Sequence, residues 1–72
     1  MGKKGDILSL VGGNIRKMRM SQKMSQNQLA FEAGITREFV NKLESGNYNV
    51  SVNTLEKMAE ILGVEVRDLF NL

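Results

Sequence analysis

Residues 25–46 read Ser25-Gln-Asn-Gln28-Leu29-Ala30-Phe-Glu-Ala33-Gly34-Ile35-Thr36-Arg37-Glu38-Phe39-Val40-Asn41-Lys42-Leu43-Glu44-Ser45-Gly46, and this stretch decides the fold. It spells two short helices, each with its own start and stop. Ser25 and Gln28 have the spacing of a capping box, and Met24 with Leu29 has that of a hydrophobic staple. Leu29, Ala30 and Ala33 share one face. Gly34 ends the first helix, because glycine takes left-handed backbone without steric penalty. The second helix, over 36–45, repeats the logic: Thr36 is the cap, Ile35 and Val40 are the staple, Val40 and Leu43 point inward, and Gly46 stops it.

The same grammar extends outward. Ser51 caps a helix whose staple is Val50 with Leu55 and whose inner residues are Leu55, Met58, Ala59 and Leu62; Gly63 ends it. Upstream, Ile7, Val11, Ile15 and Met18 recur at spacings of four, four and three, one helical stripe, which predicts a helix from about Asp6 to Gln22. Gly12-Gly13 weakens its middle by roughly 1 kcal/mol per glycine relative to alanine, so a start after Gly13 stays open. A short helix over Val66–Phe70 closes the chain with Leu69 and Phe70. No segment reads as a strand. The expectation is an all-α, compact five-helix domain over residues 6–72, preceded by a disordered tail over residues 1–5. Met18, Met20, Met24 and Met58 are expected to fill the core.

At 72 residues the chain is one domain with a small margin of stability. The absence of cysteine and histidine excludes disulfides, thiolate chemistry and the usual zinc ligands. With no carboxylates at catalytic spacing either, an enzyme is not expected, nor a metal or cofactor. No apolar run approaches the ~18–20 residues of a membrane span. Met1 to Asp6 lacks both the apolar core of a secretory signal and the Ser or Thr at position 6 of a myristoylation signal. The expected location is cytoplasmic, with no membrane partner. Charge is uneven: residues 1–24 hold Lys3, Lys4, Arg16, Lys17, Arg19 and Lys23 against Asp6 alone, +5, whereas residues 25–72 carry −3. A basic half suits a phosphate backbone; a soluble protein of uneven charge has the same signature.

Arg37, Glu38, Asn41 and Lys42 fall away from Val40 and Leu43 on the second helix of the opening stretch. Arginine can bond guanine through two hydrogen bonds, asparagine adenine, and glutamate can accept from cytosine. A capped helix and a tight glycine turn before such a face are how a helix is presented to the DNA major groove. The bland alternative is a solvated face with a Glu38–Lys42 ion pair contributing about 0.3–0.5 kcal/mol. Gln26, at the first turn of its helix, can bond a phosphate or brace a base-reading side chain. Thr36 joins this set from the cap, Lys17 and Lys42 suit phosphates, and Asn47 and Tyr48 in the following loop can approach the DNA backbone. Phe39 either packs beneath the preceding helix or touches a thymine methyl or sugar edge. Arg19 and Glu44 are candidate partners across the bundle, with a phosphate as a further partner for Arg19. Val66, Leu69 and Phe70 either form a homodimer face or close the monomer core.

The pattern from Ile15-Arg-Lys-Met-Arg19 through Met24-Ser-Gln26, Gln28-Leu-Ala30, Gly34-Ile-Thr-Arg37, Val40, Leu43-Glu44-Ser-Gly46, Asn49-Val-Ser51 and Leu55-Glu-Lys-Met-Ala59 to Leu62-Gly-Val64 and Asp68-Leu-Phe70 resembles the lambda-repressor/Cro-like (Xre-type) helix-turn-helix family. The resemblance implies a transcriptional regulator that binds operator DNA as a homodimer. It implies that Gln26 helps position its helix on the DNA backbone, that Arg37, Glu38, Asn41 and Lys42 face bases or adjacent phosphates, and that Arg19 and Glu44 form the family's structural ion pair. The string Thr36-Arg-Glu-Phe-Val-Asn-Lys-Leu-Glu44 is similar to controller proteins of restriction-modification systems; small phage repressors and antitoxins share the pattern. An antitoxin-type protein-interaction module that also binds DNA is the alternative, and RNA polymerase a further partner to consider. Two positions depart from the family: Lys23 stands where a glycine commonly ends the first helix, which predicts a differently shaped turn, and Val50 replaces a frequent proline.

Overall fold

The computed structural model describes residues 4–72, with side chains from Ile7 onward. Four α-helices, α1 (Lys4–Ser21), α2 (Gln26–Ala33), α3 (Arg37–Glu44) and α4 (Val52–Leu62), are followed by a closing 3-10 turn over Val66–Phe70. Together they are the five helical elements expected. α1 begins ahead of Asp6 and runs unbroken through Gly12-Gly13. The rest of the expected tail, residues 1–3, lies outside the described residues.

The three caps form as read. Ser25 accepts from the Gln28 backbone N–H, Thr36 from Phe39 and Ser51 from Thr54, at 3.0, 3.0 and 3.1 Å. The reciprocal half of the first capping box does not: the Gln28 amide donates to Glu32 Oε2 at 3.3 Å, one turn on. At the other ends, one device serves all four helices. Lys23, Gly34, Gly46 and Gly63 take left-handed backbone, with φ of 57°, 72°, 79° and 74°. The residue after each donates to a carbonyl five back: Met24 to Arg19, Ile35 to Ala30, Asn47 to Lys42 and Val64 to Ala59, at 2.9–3.1 Å. These are the six-residue bonds of the Schellman ending. Lys23 therefore adopts the backbone that a glycine would take, and the turn keeps the shape that its sequence put in doubt.

Val11, Ile15, Leu29, Ala30, Val40, Leu43, Leu55, Met58, Ala59, Leu62 and Leu69 form one buried core. Three expectations change. Ile7 ends the apolar stripe of α1 on the exposed side. Met20 is also exposed, because it follows Arg19, which faces inward; Met18 and Met24 pack at the core edge and Met58 lies within it. Leu69 is 0% exposed. It closes the monomer core rather than offering itself to a second copy, and Val66 packs against the same core. The Asn14 side-chain amide holds this closing turn to α1, donating to the carbonyls of Leu69 and Asn71 at 2.8 and 2.7 Å.

α1 carries α3 on a second stripe, Ser9, Gly12, Arg16 and Arg19, spaced three, four and three. A Cβ built on Gly12 would stand 2.2 Å from the Leu43 carbonyl oxygen, whereas one on Gly13 meets nothing within 4 Å. The helix thus tolerates one glycine's helix penalty at position 12 to let the end of α3 approach. Gly46 also lies close to Ser9, its missing Cβ 2.8 Å from the Ser9 Cα. Gly12→Ala is expected to lower the urea midpoint or fail to fold, while Gly13→Ala should gain about 1 kcal/mol from helix propensity; equal effects of the two would contradict the seam.

Candidate nucleic-acid interface

α2 and α3 meet across Gly34-Ile35-Thr36, with Leu29, Ala30, Val40 and Leu43 buried beneath them. Those inward residues leave Arg37, Glu38, Asn41 and Lys42 exposed on α3. The four line one open depression. No Glu38–Lys42 ion pair forms among the described residues, where Arg19–Glu44 and Arg67–Glu65 are the pairs present. The exposed face is therefore not held by its own charges.

It is held from inside. Arg19 and Glu44 are each 8% exposed. Arg19 Nε donates to Glu44 Oε2 at 2.6 Å and Nη2 to Oε1 at 3.1 Å, a two-point fork, while Nη1 donates to the Met24 carbonyl at 2.7 Å. Each nitrogen of its guanidinium already has a partner inside the domain, so a phosphate contact of Arg19 would use the second N–H of Nη1 or Nη2. Glu44 Oε1 accepts a further bond from Gln26 Nε2 at 3.1 Å, and Gln26 Oε1 faces Arg37 Nη1 at 3.5 Å. A carboxylate only accepts and a guanidinium only donates, so this order dictates which way the Gln26 amide points. Of the two roles open for Gln26, bracing is the one with partners in place, and Arg37 is the side chain braced.

The remaining candidates lie around this axis. Thr36 is committed as a cap through its oxygen but keeps its hydroxyl proton. Asn47 is exposed after α3, its amide 3.3 Å from Ser45 Oγ. Lys17 is exposed on α1. Phe39 is half-buried and meets the Tyr48 ring edge-on, with centroids 4.9 Å apart.

A profile of the family described as Helix-turn-helix (HTH_3) matches residues 15–69. The chain belongs to the helix-turn-helix family. It is 39% identical over 67 residues to control protein C.BamHI of Bacillus amyloliquefaciens, covering 92% of this chain and 83% of that one. It is similar in structure to the restriction-modification controller protein C.AhdI from Aeromonas hydrophila, with 38% identity, a TM-score of 0.84 and coverage of 88% and 96%. The biofilm regulator SinR, solved in complex with DNA, matches with 29% identity, a TM-score of 0.79 and coverage of 85% and 98%. This helix-turn-helix chain thus stands among DNA-binding transcription regulators. Among its described residues, no helix is long and apolar enough to cross a membrane.

In the helix-turn-helix frame, α2 and α3 are the paired helices. Arg16, which the sequence placed in the basic half without a specific site, comes to lie beside α3. Arg16 lines an open depression with Asn41, Glu44 and Ser45, and so adds a cation beside the α3 face. The signal was present: Arg16 lies three residues before Arg19, on the stripe that must face α3 once Arg19 is paired with Glu44.

Glu44→Gln leaves the Arg19 charge buried without its counter-charge and is expected to cost about 3–5 kcal/mol in urea unfolding. Replacing both partners together, Arg19→Met with Glu44→Leu, should recover most of that loss, since apolar replacements of buried ion pairs are often neutral. A double variant no more stable than Glu44→Gln would contradict this account.

Proposed function

We propose that the protein is a sequence-specific transcriptional regulator that binds a palindromic operator as a homodimer, with α3 in the major groove of each half-site. The observation that carries this reading is the braced face of α3. Arg37 stands at the groove end of a hydrogen-bonded line that runs back through Gln26 and Glu44 to Arg19. In this reading Arg37 and Asn41 read base edges, Glu38 accepts from cytosine or disfavours wrong sites, and Lys42, Lys17, Arg16, Thr36 and Asn47 follow phosphates. The likeness to regulators and control proteins favours transcriptional control over the antitoxin alternative.

Dimer geometry is consistent with the domain's size. Half-sites one helical turn apart place recognition helices roughly 34 Å from each other. A domain measuring 33 × 22 × 21 Å reaches that separation when two copies meet along its long dimension. With Leu69 inside the core, the apolar surface left for a second copy at this end is that of Phe70 and Leu72, with Val66 at its margin.

Selection of bound sequences from random duplexes is the direct test. A two-fold symmetric motif with half-sites about 10 base pairs apart is expected; an asymmetric motif would remove the dimer, and no enrichment would remove sequence-specific binding. On the selected site, Arg37→Ala should cost about 1–3 kcal/mol and relax preference at one base pair. Lys42→Ala should instead weaken binding to all sequences and reduce the salt slope by about one. Interchanged behaviour of these two variants would reverse their assigned roles.

A further inference from the structure

One part of the exposed α3 surface is apolar. Thr36, Glu38, Phe39, Lys42 and Tyr48 line an open depression whose floor is the edge-to-face pair of Phe39 and Tyr48, with the rings inclined at 63°. Glu38 and Lys42 also line the polar depression with Arg37 and Asn41, so the aromatic floor is continuous with the face assigned to DNA. Phe39 is anchored at the core edge, whereas Tyr48 comes from the loop after α3 and is 45% exposed. Turn chemistry alone asks for no aromatic ring in that loop. The pair therefore holds an apolar surface open to solvent, rimmed by the Lys42 ammonium, the Glu38 carboxylate and the Thr36 hydroxyl.

The occupant such a surface fits is apolar at its centre, with an anionic group on the Lys42 side of the rim. In the major groove one group meets the first condition, the 5-methyl of thymine, and the flanking phosphates meet the second. We propose that the Phe39–Tyr48 pair is a specificity-determining element that recognises a thymine by its 5-methyl group. This rests on the operator-binding reading above. Phe39 supplies the contact from α3 and Tyr48 backs it, so that the methyl group leaves water for a surface already desolvated on one side. Lys42 at the rim holds the adjacent phosphate.

The test uses the selected duplex, with each thymine replaced singly by deoxyuridine, which removes the methyl group and preserves base pairing. Affinities are measured at one salt concentration. For the wild-type protein, one replacement per half-site should weaken binding about four-fold, the effect of exposing one buried methyl-sized group. Phe39→Ala, where circular dichroism shows it folded, should bind thymine and deoxyuridine duplexes equally, and Tyr48→Ala, at an exposed loop position, should show a smaller difference than the wild type. Arg37→Ala should keep the full four-fold difference. A wild-type protein indifferent to every replacement overturns the proposal, as does a Tyr48→Ala protein that retains the full difference, since that outcome leaves the pair a purely structural role. A protein that selects no sequence overturns the operator reading as well; one that selects a sequence but ignores its methyl groups overturns the thymine proposal alone.

Discussion

The buried fork between Arg19 and Glu44 is the constraint around which the domain is arranged. It joins the last turn of α1 to the last residue of α3, and through Met24 and Gln26 it reaches the start of α2 as well. Burying two charges is expensive, and such pairs contribute little net stability compared with apolar residues of the same size. Their value lies in direction. A guanidinium fork accepts a carboxylate in one plane, so α3 is fixed in rotation as well as in distance. An apolar contact at the same place would leave that rotation looser.

Close approach is the second part of the arrangement. The fork can form because Gly12 admits the carbonyls of Leu43 and Glu44, and because Gly46 lies directly on Ser9. A small residue on α1 and a charged partner about two turns later thus act together. The helix that presents the candidate reading face is gripped along its inner end and left free along its outer side.

Much of this was legible in the sequence, because it is local. Caps at Ser25, Thr36 and Ser51 and stops at Gly34, Gly46 and Gly63 each depend on a few neighbouring residues, and the inner faces of α2, α3 and α4 follow from their spacing. What escaped depends on contacts between distant segments. Gly12 reads as a weak point until Leu43 is seen above it. Leu69 reads as surface as easily as core until the end of the chain is folded back on Asn14. Ile7 obeys the periodicity of α1, yet the bundle does not extend far enough to cover it. Lys23 shows the reverse case: its residue type argued against a left-handed turn, and the surrounding six-residue bond imposes one. At the site, the identities on α3 were readable from helical geometry, whereas the bond order from Glu44 through Gln26 to Arg37 needed α2 and α3 in place together.

The shared ending of the four helices has a kinetic side. Each left-handed residue reverses the chain through a bond spanning six residues, so the direction in which every helix leaves the previous one is decided locally. Little entropy is lost in closing such short loops before packing begins. Helical domains dominated by contacts of this range fold in roughly microseconds to milliseconds. For a domain this small, rapid recovery from each unfolding event limits the time its core lies open to proteases and to other chains.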